Sequence, residues 1–247
     1  MKTKYLEELK KEGILVIPDY FNRSKCEMII SQIELFSKSK SAVKKRDEGV
    51  GGDIRIFKFE DYSKDALSFS QDKFLIDIVS KYSNQLLQTR YVLGGKVSFE
   101  KGAKTNSGGD WHRDGDVVQM KAMVYLSDVG DENGPFSFIK SSRNFDFIRR
   151  NNKYPFAQKM LFKLKGLPTK PPRYNNKFIM NQSGITEKIY KVYGKAGTLI
   201  IFDGSYIHRG DVIKLDSRYS LTNYYYSPNK EGLTYLIKNT IKKIFKF

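Results

Sequence analysis

The chain reads as an α+β protein with an antiparallel β core, and three observations carry that reading. Hydrophobic residues make up 40% and aromatic residues 14% of its 247 residues, enough for a sizeable core. Up to about residue 90, helical patterns alternate with isolated strand-like runs. Beyond it the texture changes to short β-prone segments (YVLGGKVSF, VVQMKAMVYL, FSFI, YKVYG, GTLIIF and SRYSLTNYYY) separated by Gly, Asp, Asn and Ser. Helices first and many strands afterwards place an antiparallel sheet structure behind a helical N-terminal layer.

The elements follow in order. Residues 3–11 have the composition of a short helix, and ILVIP at 14–18 is a strand closed by Pro18. Asn22 or Ser24 is positioned to cap a helix reaching about Phe36, with Ile29, Ile30, Ile33 and Phe36 at helical spacing. The polar stretch 38–53 reads as a loop, DIRIFKF as a strand, and 72–88 as a second amphipathic helix. Residues 140–177 interrupt the β core with eleven Lys/Arg against one acid, Asp146. A long insert between core strands is expected to be a lid or binding loop. No linker or internal repeat divides the chain, so residues 1–247 are read as one domain.

Composition excludes several classes. No apolar run reaches the ~18–20 residues of a membrane-spanning helix, and the charged start MKTKYLEELKKEG lacks the apolar stretch of a secretory signal. The one cysteine, Cys26, can form no internal disulfide and is expected to be a packing residue. A cytoplasmic protein is the expectation. The net charge of +17 is uneven: residues 1–135 hold 22 basic and 21 acidic residues, residues 136–247 hold 22 and 6. Such asymmetry suits an anionic partner, whether a phosphorylated substrate, a membrane surface or nucleic acid, and also arises from lysine-biased composition alone. The tail GLTYLIKNTIKKIFKF places Leu233, Ile237, Ile241, Ile244 and Phe245 near one helical face flanked by Lys238, Lys242, Lys243 and Lys246. Residues 229–247 therefore read as a basic amphipathic tail, docked on the protein's own core or peripheral to an anionic membrane.

The chain has two histidines. His112 lies in SGGDWHRDGD, two residues before Asp114; on a strand, i and i+2 project from the same face. An imidazole and a carboxylate side by side are two-thirds of a facial iron(II) site. His208 follows the apolar run GTLIIF, from where a barrel could bring it to the same metal on a facing strand. Arg218 comes ten residues later with Ser220 at i+2, a charged fork and a hydroxyl suited to a carboxylate. Three ligands on one face leave positions open, and a carboxylate anchor nearby is what a 2-oxo acid co-substrate needs. Taken alone, H-x-D is a chance pair in most proteins; it is the ordered set His112, Asp114, His208, Arg218 and Ser220 in β-rich sequence that points to a metal.

These segments resemble the phytanoyl-CoA dioxygenase family of Fe(II)/2-oxoglutarate oxygenases. WHRD is similar to that family's W-H-x-D signature. VYLSDVGDENGPFSFI, with its turn at Asn133-Gly134, resembles the strand pair that follows, and GTLIIFDGSYIHRG resembles the distal-histidine strand. LKKEGILVIPDYFNRSKCEMIISQIE resembles the family's opening helix–strand–helix. The resemblance implies a double-stranded β-helix (jelly-roll, cupin-like) core with flanking N-terminal helices. It implies His112, Asp114 and His208 as Fe(II) ligands, Arg218 with Ser220 as the 2-oxoglutarate anchor, and O2 as the second co-substrate. Lys140-Ser141-Ser142-Arg143 departs from the family's Pro-Gly-Ser/Thr-His, Gly210 replaces a hydroxyl residue, and the spacing from His208 to Arg218 is short. Halogenases of this group lack the carboxylate, whereas Asp114 is present, which favours hydroxylation or a related oxidation.

Other residues carry smaller expectations. Trp111 should point away from His112 into packing. Met123 matches a position that lines the family's 2-oxoglutarate pocket. Lys96 and Ser98 share a strand face that reaches either the pocket or solvent. Arg113 and Asp116 are expected at the surface or behind the metal ligands, and Tyr224, Tyr225 and Tyr226 on alternating strand faces. The reading is thus a dioxygenase acting on a small or carrier-linked, anionic organic substrate. Its alternative is a catalytically silent jelly-roll that docks to a membrane surface or polyanion. Nucleic acid ranks low because no recognisable nucleic-acid motif is present.

Overall fold

The computed structural model describes residues 2–38, 43–45, 52–103, 110–115, 117–145 and 173–228. An N-terminal helix α1 (Lys2–Glu12) leads into strand β1 (Ile14–Ile17) and helix α2 (Arg23–Ser37). Asn22 caps α2, its Oδ1 accepting from the Lys25 amide at 2.8 Å. Strand β3 (Gly52–Phe57) is the strand expected at DIRIFKF, and it pairs antiparallel with β2 (Val43–Lys45), which lies where the sequence reads as a loop because its lysines hide the strand pattern. Helix α3 (Lys64–Ser70), capped by Ser63, is an element the sequence reading lacks. Helix α4 (Lys73–Ser83) is shorter than expected: Asn84 adopts a left-handed φ of 51° and stops it.

The rest is the β core: β4 (Gln88–Ser98), β5 (Trp111–His112), β6 (Met120–Tyr125), β7 (Phe136–Ile139), β8 (Arg173–Tyr174), β9 (Ile189–Val192), β10 (Leu199–Asp203), β11 (His208–Gly210) and β12 (Ser217–Tyr226), with a short helix α5 (Asn176–Met180) after β8. They form two antiparallel sheets, a major one ordered β1-β10-β6-β12-β4-β3-β2 and a minor one ordered β8-β5-β11-β7-β9. From β4 onward the chain passes repeatedly between the two sheets, which is the double-stranded β-helix, or jelly roll.

Side-chain alternation sorts the core into three layers. On β10, Leu199 and Ile201 face the helices, whereas Ile200 and Phe202 face the minor sheet. The helix-side layer collects Ile29, Ile33, Leu75, Val79, Val124 and Leu221, with Cys26 fully buried among them as expected. Ile14, Tyr125, Phe136, Phe138, Phe202 and Tyr206 fill the space between the sheets. On the outer face of the minor sheet, Trp111, Ile139, Tyr174, Ile179, Ile185 and Ile207 make a third cluster. The turn expected at Asn133-Gly134 is present: Gly134 has φ 63°, and a Cβ there would lie 2.3 Å from the Asp211 carbonyl.

The basic stretch 140–177 is described only at its ends. Residues 173–174 are the edge strand β8 of the minor sheet, paired with β5, so the end of the expected insert belongs to the core. Residues 146–172 and the tail 229–247 lie outside the described residues. Among the described residues, no helix is long and apolar enough to cross a membrane.

Candidate metal centre

His112, Asp114 and His208 converge, with one candidate ligand atom from each within 4.8 Å of the others. Two details differ from the sequence expectation. Strand β5 ends at His112, so Asp114 projects from the bend that follows rather than from the same strand face. His208 is not on a facing strand: β11 is the direct neighbour of β5, with His208 opposite His112 in the ladder and ring centroids 4.5 Å apart. The sheet register itself therefore places the two imidazoles side by side.

Each imidazole is oriented through Nδ1, which lies 3.0 Å from the Asp110 carbonyl in His112 and 2.9 Å from the Tyr206 carbonyl in His208. A carbonyl only accepts, so both Nδ1 atoms carry the proton and both Nε2 lone pairs are left for a ligand. Burial lowers the pKa of His112 to about 3, helped by its neighbour His208, and burial also lowers that of His208. Both rings are thus neutral at pH 7, the state a metal ligand requires. Burial alone would raise the Asp114 carboxyl, but Lys121 and His208 outweigh it and hold the pKa down to about 2. Asp114 Oδ2 sits 3.4 Å from His208 Nε2 and 2.7 Å from Lys121 Nζ.

The packing leaves room for that carboxylate. A Cβ on Gly204 would stand 2.1 Å from Asp114 Oδ2. Phe136 and Phe202 press against the His208 ring at centroid distances of 5.6 and 5.3 Å, giving the site a dry wall. The donor set of two imidazoles and one carboxylate, with no cysteine, fits Fe(II).

Arg218 is 9% exposed, and its Nε and Nη1 have no hydrogen-bond partner among the described residues. Burial pushes its pKa down, and Tyr125, Asp211 and Asp53 offset only part of that cost. A buried guanidinium with two unspent donors is primed for an anion. Ser220 lies two residues on along β12, its Oγ 3.4 Å from where a Gly95 Cβ would be. Both face the space between the sheets, as do Met123, Tyr125 and Lys121 on the paired strand β6.

The remaining expectations resolve as follows. Trp111 is fully buried on the outer face, opposite to His112, and its Nε1 donates to Asn176 Oδ1 at 3.1 Å. Lys96 pairs with Glu34 of α2 at 2.7 Å, on the helix side of the major sheet, away from the site. Ser98 on that face meets Ser217, their hydroxyls 2.9 Å apart. Arg113 is buried behind the metal ligands, its Nε donating to the Ser205 carbonyl at 2.6 Å. Asp116 lies outside the described residues. Tyr224 stacks on Tyr91 at 4.6 Å facing the site, and Tyr225 is buried in the helix-side core after a bulge. The residues that depart from the family pattern have structural work: Ser142 Oγ accepts from the Ile207 amide at 2.7 Å and Arg143 reaches Asp203 at 3.3 Å.

Sequence reasoning missed Lys121 and Asp203. Lys121 occupies an inward position of a β-prone run, where a lone charge signals a paired interior site. Asp203 ends the apolar run LIIFD just before Gly204, a carboxylate with nowhere to go but the core.

The phytanoyl-CoA dioxygenase (PhyH) family matches residues 9–213. The chain belongs to that family. It is accordingly a non-haem iron, 2-oxoglutarate-dependent oxygenase by family. Solved structures share the fold at low identity. The α-ketoglutarate-dependent epimerase SnoN from nogalamycin biosynthesis superposes with a TM-score of 0.67 at 11% identity, covering 92% of this chain and 83% of its own. HygX from Streptomyces hygroscopicus, with nickel and 2-oxoglutarate bound, gives 0.61 at 17% identity over 91% and 87%. AviO1 from Streptomyces viridochromogenes Tue57 gives 0.58 at 14% identity over 92% and 96%. No curated protein matches the sequence.

Proposed function

We propose that this PhyH-family protein hydroxylates a small or carrier-linked, anionic organic substrate. The co-substrates are 2-oxoglutarate and O2: R–H, 2-oxoglutarate and O2 give R–OH, succinate and CO2. The observation that carries the reading is the convergence of His112, Asp114 and His208, one candidate ligand atom from each within 4.8 Å of the others.

In this reading His112, Asp114 and His208 would hold Fe(II). Arg218 uses its two unspent donors on the distal carboxylate of 2-oxoglutarate, and Ser220 adds a hydroxyl from the same strand face. Bound iron and 2-oxoglutarate together supply the oxidising power for a C–H bond. The protein's own part is orientation and exclusion. The Asp110 and Tyr206 carbonyls fix the imidazole rings, Lys121 pins the Asp114 carboxylate, and Phe136 and Phe202 keep water from the His208 side. HygX and SnoN, whose structures hold 2-oxoglutarate or α-ketoglutarate with a metal, support the same set of ligands here. The alternative, a jelly-roll that keeps a metal but lacks turnover, is less favoured, since the chain belongs to a family of 2-oxoglutarate-dependent enzymes.

The test is two-fold. His112→Ala, Asp114→Ala and His208→Ala should each abolish succinate formation from 2-oxoglutarate while the protein stays folded. Iron binding at wild-type affinity by all three would end the assignment. Mass spectrometry of a metabolite extract incubated with enzyme, Fe(II), 2-oxoglutarate and 18O2 should show one product gaining a labelled oxygen. Succinate release with no labelled product would favour desaturation or ring closure instead.

A further inference from the structure

We propose that Asp203 is a positioning residue that holds both arms of the metal centre in register, an inference that rests on the functional reading above. Asp203 is fully buried at the end of β10 and touches none of the three candidate ligands. Among the described residues its carboxylate makes four contacts. Oδ1 accepts from the amides of Gln119 at 3.0 Å and Ser205 at 2.9 Å; Oδ2 accepts from the Tyr82 hydroxyl at 3.2 Å and Arg143 Nη1 at 3.3 Å. Its backbone is held too, the amide donating to the Gly13 carbonyl and the carbonyl accepting from Tyr206, at 3.0 and 3.1 Å.

The turn so fixed, Asp203–Tyr206, presents three consecutive carbonyls, and each holds part of the centre. Gly204 accepts from the Asp114 amide at 2.8 Å. Ser205 accepts from Arg113 Nε at 2.6 Å, tying the residue between His112 and Asp114. Tyr206 faces His208 Nδ1 at 2.9 Å and sets the ring's direction and tautomer. Gly204 also donates its amide to the Gln119 carbonyl at 2.8 Å, so Asp203 and Gly204 grip both backbone polar groups of Gln119, one residue before β6. One carboxylate thereby organises the backbone on which the His112–Asp114 arm and the His208 arm both lean. A packing residue at this place would need no charge and no amides aimed at it. A buried aspartate with two neutral amides, a phenol and a guanidinium around it is costly to bury unless its geometry is used.

Partners one step behind a metal ligand carry about 10- to 100-fold of metal affinity. Asp203→Asn keeps the shape and the Oδ1 acceptor but loses the charge facing Tyr82 and Arg143. Co(II), titrated into the metal-free protein, serves as probe, with its visible absorption reporting coordination geometry. Asp203→Asn should bind Co(II) about tenfold more weakly, with an altered spectrum, at an unchanged far-ultraviolet circular dichroism. The double variant Tyr82→Phe/Arg143→Gln, which leaves the carboxylate in place and removes its outer clamps, should shift affinity in the same direction by a smaller factor. That variant decides the matter if Asp203→Asn does not fold. A wild-type affinity and spectrum in the folded Asp203→Asn protein, or in the double variant if it alone folds, overturns the positioning role and leaves the metal site standing. A wild-type protein that binds no Co(II) overturns the functional reading itself, and this inference with it.

Discussion

Arg218 is the residue whose chemistry stands most open. A buried guanidinium whose Nε and Nη1 have no partner among the described residues costs stability until an anion arrives. Arg218→Ala should therefore weaken 2-oxoglutarate binding by a charge-assisted contact of about 1.5–3 kcal/mol, roughly 10- to 150-fold, with little loss of melting temperature. Arg218→Lys should recover part of it, keeping the charge without the planar fork. Isothermal titration of 2-oxoglutarate into the metal-loaded variants checks both, and an unchanged dissociation constant would move the anchor elsewhere. Gly204 gives a second expectation of this size. Its Cβ position, 2.1 Å from Asp114 Oδ2, is occupied by the ligand itself, so Gly204→Ala should displace Asp114 and abolish tight metal binding. Retained affinity in a folded Gly204→Ala protein would show that Asp114 is not where the metal is held.

Among the elements, β10 and β12 were legible in the sequence and β5 and β11 were not. LIIF is buried on both faces and reads as a continuous apolar run, and SRYSLTNYYY is long enough for its alternation between the site and the helix-side core to emerge. The strands that carry the two histidines span two and three residues, too short for any period, and owe their existence to their neighbours in the minor sheet. The same limit separated Asp114 from its expected strand face, and hid α3 and β2, while residue chemistry singled out the three side chains that converge, His112, Asp114 and His208. Strand β5 depends on packing for its place. Trp111 buries its whole side chain under the minor sheet and hydrogen-bonds Asn176 at the start of α5. Trp111→Ala should cost about 3–5 kcal/mol in unfolding free energy and loosen metal binding as well. Urea melts beside a Co(II) titration would detect it, and a stable variant with full metal affinity would place β5 under other control.

On the scale of the whole molecule, two properties respond to solution conditions. The metal-free protein holds His112 and His208 neutral, with the His112 pKa lowered to about 3 against 6.5 when unfolded. Below pH 6.5 the unfolded chain takes up protons that the folded one refuses, so stability falls as pH drops toward 3. Melting temperatures of the metal-free protein at pH 7.5 and 5 should show the decline, and His112→Gln should flatten it. The second property is charge. Residues 229–247 hold five lysines and one acid around the apolar series Leu233, Ile237, Ile241, Ile244 and Phe245. If they form the amphipathic helix that their spacing predicts, the protein should co-sediment with anionic vesicles, weakened by salt, and lose this on deletion of 232–247. No sedimentation at low salt would leave the positive half to an anionic substrate.

The pairing of His112 with His208 across neighbouring strands has a consequence for how the protein ages without its metal. An ion held by both would act as a rivet through the minor sheet, fastening the two-residue strand β5 to β11 by bonds far stronger than its own short ladder. Occupancy would then add RT ln(1 + [M]/Kd) to the cost of opening that edge. Amide exchange at Trp111, His112 and Tyr174 should slow in step with metal concentration, while α2 and α4 stay indifferent. Without a metal, β5 would be held only by its short ladder to β11 and β8 and by the packing of Trp111.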